Sequence, residues 1–169
     1  MQTMTDAYRQ RLQLASLLVG VLMAGGTGAS EKSTPVSTKA SASVAGTLPS
    51  QQTTQRIWIT VGQRRFAITV ADTAAGKAFA ARLPMRLEMA ELNGNEKHVD
   101  LAAPLPADAS RPGTIRSGDL MLYGTKTIVL FYETFDSPYS YTRLGRVDDP
   151  VGLDRALGRR DVHVEFSDE

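Results

Sequence analysis

From Arg56 onward the sequence breaks into short stretches that are apolar at every second position, each closed by glycine, proline or asparagine. Ile57, Ile59 and Val61 make the first stretch, Gly62-Gln63 turns the chain, and Phe66, Ile68 and Val70 make the second. A period of two belongs to strands buried on one face, and a two-residue break between two such runs reads as a hairpin. One run departs from this pattern. Ala75, Phe79 and Leu83 recur every four residues, the apolar stripe of a helix. Asp72 or Thr73 stands where its N-cap belongs. Pro84 marks its end, because proline brings no amide hydrogen and clashes with the preceding turn.

A strand follows at once, with Met85, Leu87 and Met89 alternating with Arg86 and Glu88. Asn93-Gly94-Asn95 is a turn, and residues 96–101 are a weaker strand. Residues 102–118 hold three prolines and two glycines and read as a long loop. Residues 119–123 and 127–132 are strands joined by Gly124-Thr125-Lys126. Ile128-Val129-Leu130-Phe131 is apolar on both faces, which marks a buried central strand. Residues 133–140 read as loop, 141–147 as a strand and 152–157 as a short helical turn. The last strand, 161–166, turns Val162, Val164 and Phe166 inward. About eight short strands with one early helix describe a mainly β chain, a closed barrel or a sandwich, in which that helix would plug an open barrel end.

The first thirty residues read differently. Arg9 and Arg11 precede an uncharged apolar run at 12–24, and small residues follow to Ser30. This is the order of a secretory signal, and the run is short for a bilayer span. Residues 1–30 are therefore expected to be a signal peptide cleaved after Ala29, sending the domain to the periplasm or the exterior by the general route. The alternative is an uncleaved anchor, the one membrane contact foreseen, with the domain still outside the cytoplasm. Cleavage would remove Arg9, Arg11 and Asp6 and take the net charge from +1 to zero. Residues 31–55 are rich in Ser, Thr, Ala, Gln and Pro and lack aromatics. Such a stretch buries too little apolar surface to offset the entropy of ordering it, so it reads as a flexible linker before the domain at 56–169.

With 169 residues the chain holds one domain. The near-zero charge argues against a nucleic-acid partner. The absence of cysteine excludes disulfides, thiol catalysis and lipidation at cysteine. Two histidines offer little to a histidine-rich metal site, and neither a metal nor another cofactor is expected.

The ordered set Leu83-Pro84, Met85-Arg86-Leu87-Glu88-Met89, Glu96-Lys97, Ser117-Gly118-Asp119, Leu130-Phe131-Tyr132 and Tyr141-Thr142-Arg143-Leu144-Gly145 resembles a bacterial family of cyclophilin-like domains of unknown function. The resemblance spans essentially all of residues 56–169. It implies a closed eight-stranded cyclophilin-type barrel, with its main helix after the second strand and a short helical turn near the C-terminus. It implies no demonstrated activity. True cyclophilins carry a Phe-His-Arg segment after this helix and a Gln-Gly-Gly-Asp segment, and this sequence has neither. Arg86 stands near the place of the isomerase arginine, between Met85 and Leu87.

The expected function is a noncatalytic module for a small molecule or an extended peptide, and the alternative is a weak or divergent peptidyl-prolyl isomerase that uses Arg86. Tyr123, Tyr132 and Tyr141 are candidates to line a cleft with apolar faces and polar tips, joined by Arg143 as a carboxylate fork and Glu96 at the edge. Glu96-Lys97 on its own reads as a solvated pair at a strand start, and His98 as a surface histidine. Asp119 reads as a carboxylate that fixes its turn. Asp161, His163 and Glu165 share one strand face, and alternation explains them as a solvent face better than metal ligation does. Trp58 faces away from Ile57 and Ile59.

Overall fold

A computed structural model describes residues 55–169; the expected signal at 1–30, and the expected linker apart from Gln55, lie outside the described residues. Ten strands and two helices follow in order. They are β1 (Arg56–Val61), β2 (Arg64–Val70), α1 (Ala74–Ala80), β3 (Met85–Leu92), β4 (Glu96–Asp100), β5 (Gly113–Ile115), β6 (Asp119–Tyr123), β7 (Thr127–Phe131), β8 (Phe135–Ser137), β9 (Thr142–Val147), α2 (Leu153–Leu157) and β10 (Val162–Ser167). Eight of the strands close an antiparallel barrel in the order β1-β10-β3-β4-β7-β6-β9-β2, while β5 and β8 pair with each other outside it.

Alternation decides which side chains fill the barrel. Ile57, Ile59, Phe66, Ile68, Met89, Leu120, Leu122, Ile128, Leu130, Leu144, Val164 and Phe166 share one buried interior cluster. Ala75, Phe79 and Ala80 of α1 join it, as do Leu153 and Leu157 of α2. Phe79 meets Phe166 edge to face, with ring centroids 5.3 Å apart. The two helices follow the opposite ends of the paired strands β2 and β9, so they close opposite ends of the barrel.

Thr73 is the N-cap of α1, and its hydroxyl accepts the Gly76 N–H at 2.9 Å. Asp72 pairs with Lys77 instead. The regular helix ends at Ala80, short of the last apolar repeat at Leu83, and two tighter turn bonds carry the chain to Pro84. Trp58 points outward under the Arg65 guanidinium, 4.4 Å from the ring centroid.

The long loops expected at 102–118 and 133–140 each contain a three-residue strand. β5 and β8 pair Gly113 with Ser137, Thr114 with Asp136 and Ile115 with Phe135. Strands this short carry no readable alternation. Their pairing is fixed by the apolar surface they cover: Ile115 and Phe135 pack on Leu92, Met121, Val129, Phe131 and Tyr141, the outward side chains of the wall beneath. This second layer is why β7 is apolar on both faces.

Candidate functional site

The barrel wall is not laddered throughout. β3 pairs with β10 from Met85 to Met89, but its ladder with β4 is confined to Ala90–His98, Glu91–Lys97 and Leu92–Glu96. Beyond these pairs β4 stays with β7 as far as Asp100. Carrying the β3–β4 register two residues further would set Glu88 opposite Asp100, and like charges directly opposed disfavour pairing. Asp100 instead accepts a hydrogen bond from the Thr127 hydroxyl on β7. The chain then leaves the wall, held to the β6–β7 turn by Leu101 N–H to Lys126 O at 2.9 Å and Leu105 N–H to Thr125 O at 2.7 Å.

The gap is a cleft of about 430 Å³ at the end of the barrel closed by α1. Met85, Leu87 and Leu101 give it apolar walls, Ala102 and Ala103 border it, and Arg82 and Asp100 supply its polar groups. Met85 and Leu87 continue the inward face of β3 and are only half-buried, lying beyond the last β3–β4 pair at Ala90–His98. The Arg82 guanidinium spans the mouth from the end of α1, donating to Ala103 O at 2.8 Å and Pro104 O at 2.6 Å. The volume falls among those of small-molecule sites, and apolar walls with a few placed polar groups suit binding.

The opposite end holds a polar network centred on Glu91. Its carboxylate accepts from the Tyr132 hydroxyl at 2.8 Å, from Gly94 N–H at 2.8 Å and from the Lys97 ammonium. Lys97 is wholly buried and also donates to Arg160 O. Arg159 lies 5.7 Å from the Tyr132 ring centroid and donates to Gly94 O. Burial, and then the hydrogen bond to Glu91, push the Tyr132 hydroxyl above the ordinary phenol range. The network ties the β3–β4 turn to the start of β10, where Asp161 also accepts the Glu91 N–H at 2.9 Å.

The tyrosines expected to share a cleft are divided between the two layers. Tyr132 belongs to the interior cluster, and Tyr141, with Tyr123 against it, belongs to the outer one. Tyr141 is buried, 5.5 Å from Phe131 edge to face, and burial followed by the Glu96 carboxylate raises its hydroxyl above the ordinary range. Arg143 is exposed, 3.7 Å from Asp119. Asp119 is buried and accepts Arg116 N–H at 2.9 Å, so it does fix its turn. Arg86 is exposed on the outer face of β3, 3.4 Å from Glu165, while its neighbours Met85 and Leu87 face the cleft. His163 is exposed, and Asp161 and Glu165 are engaged with Glu91 and Arg86.

The expectation for residues 96–98 fails as well. Glu96, Lys97 and His98 are buried, not a solvated pair beside a surface histidine. β4 lies in the middle of the wall, so its inward residue Lys97 meets the barrel interior and its outward residues Glu96 and His98 meet the second layer. Sequence reading also passed over Arg82, Asp100 and Leu101 in the cleft, and Glu91 in the network. For Glu91 a signal existed: it continues the inward series Met85, Leu87, Met89, and a carboxylate at an inward position needs a partner. For the cleft none existed, because a missing ladder leaves no pattern in either strand.

A closed antiparallel barrel with a helix at each end defines the class, and in this chain the ladder between β3 and β4 is short. The sequence profile of the cyclophilin-like family matches residues 59–167, and the chain belongs to that family. No curated protein matches it. Among solved structures it is similar to a hypothetical protein from Archaeoglobus fulgidus determined in solution. That match has a TM-score of 0.54 at 14% identity and covers 72% of this chain and 100% of the other. At that identity the likeness concerns the fold.

Proposed function

We propose that this domain is a noncatalytic binding module, acting outside the cytoplasm, that takes a small molecule or an extended peptide in the cleft between β3 and β4. The carrying observation is the break in the wall: the inward apolar side chains Met85 and Leu87 are left half-open beside it, with Arg82 and Asp100 at its margin. The ionisable groups of the opposite end support a binding role, since Glu91, Lys97 and Tyr132 are committed to one another. The test is NMR of the full chain labelled at methionine methyls, titrated with small apolar compounds and blocked pentapeptides. Met85 is expected to shift while Met121, in the outer layer, does not, and Leu87→Arg is expected to abolish the shift. An unmoved Met85 across both probe sets would overturn the assignment.

Prolyl isomerisation is the second reading, and a specific observation favours it. The reaction calls for a cation beside an apolar pocket, to stabilise the twisted amide, and Arg82 occupies such a position. Faster cis–trans exchange of a proline peptide, lost in Arg82→Ala and kept in Arg86→Ala, would establish it.

A further inference from the structure

We propose that the occupant of the cleft is an extended peptide that adds a strand to β3 and carries a basic residue between apolar ones; this rests on the cleft being the binding site. Three observations converge. First, β3 from Met85 to Met89 is laddered to β10 on one side, and among the described residues no strand is laddered to its other side. The backbone N–H and C=O groups on that side border the gap, and such an edge is completed by a further strand. Second, the side chains of β3 alternate across the wall. Met85 and Leu87 turn into the cleft toward Leu101, and the exposed Glu88 stands on the outer face. A strand laid along β3 alternates in the same way, placing every second side chain against the apolar walls and the others outward.

Third, the outer margins of the gap are both acidic. Glu88 lies on the β3 side and Asp100 on the β4 side, at positions that would face each other if the hairpin were closed. A Lys or Arg pointing outward from an inserted strand would lie between two carboxylates, so the repulsion that disfavours closing the hairpin would become attraction for a cationic guest. Of the cations nearby, Arg86 pairs with Glu165 across β10, and Arg82, at the mouth of the cleft, is already bonded to the Ala103 and Pro104 carbonyls.

The experiment uses the full chain and three pentapeptides blocked at both ends: Val-Lys-Val-Lys-Val, Val-Glu-Val-Glu-Val, and the lysine peptide N-methylated at alternate amides. Binding is read by fluorescence anisotropy and by the Met85 methyl shift. The lysine peptide is expected to bind at least ~10-fold tighter than the glutamate peptide, about 1.4 kcal/mol. N-methylation is expected to abolish binding, and Glu88→Lys, which leaves Asp100 as the one carboxylate at the gap, to abolish the preference. Equal affinity for both charge patterns, or binding that survives N-methylation at every amide register tried, would overturn the inference. If small apolar compounds shift Met85 and no peptide does, the peptide fails while the binding site stands. If nothing shifts Met85, both fail.

Discussion

Glu91 shows how much one side chain can decide. Its carboxylate is the common acceptor for Tyr132, Gly94 and Lys97, which come from the residue just after β7, the β3–β4 turn and β4. Removing one partner of a buried pair strands the other charge, at about 3–5 kcal/mol. Glu91→Ala is therefore expected to lose stability on that scale, measured by urea unfolding followed through Trp58 fluorescence. Glu91→Leu combined with Lys97→Met is expected to lose less than Glu91→Ala alone, because apolar replacement of both partners leaves no buried charge unpaired. A double variant as unstable as the single would mean that packing, not charge, dominates the site. Alternation placed Glu91 on the inward face, but its three partners became neighbours only when the barrel closed.

At the scale of elements, α1 illustrates a conflict between local and tertiary demands. Gly76 lies within a seven-residue helix, where alanine would be favoured by roughly 1 kcal/mol. A Cβ there would lie 2.4 Å from Ala71 O and 2.9 Å from Leu144 O, both backbone atoms. The glycine lets the helix sit directly on β9. Gly76→Ala is expected to lower the thermal midpoint despite its better propensity, since overpacking costs about 1–3 kcal/mol. An unchanged or higher midpoint would show that the helix can shift without loss. β5 and β8 are the complementary case: nothing local marks these three-residue strands, and the outer apolar layer they cover holds them together.

The whole molecule joins this barrel to an N-terminal region expected to act as an export signal and a linker. Among the described residues no helix is long and apolar enough to cross a membrane. The export reading makes a prediction of its own. Expression of the full chain in a bacterial host is expected to place a species beginning at Ser30 outside the cytoplasm, identified by mass. A full-length species retained in the membrane fraction would support the anchor instead, and a full-length cytoplasmic species would refute both.

The sequence by itself determined the succession of the eight wall strands, the early helix, and most of the apolar residues that line the barrel, because strand and helix periods are written residue by residue; burying one face of every strand suits a sandwich as well, and closure into a barrel was expected from the family resemblance. Even the family was legible, through an ordered set of short motifs that the profile match over residues 59–167 bears out. The tertiary structure decided what depends on two distant segments meeting. It buried Glu96, Lys97 and His98 by placing β4 between two layers, separated Tyr132 from Tyr141 across one wall, and opened the cleft where β3 and β4 part. A ladder that stops belongs to neither strand alone, so its position is set only when both edges have taken their other partners.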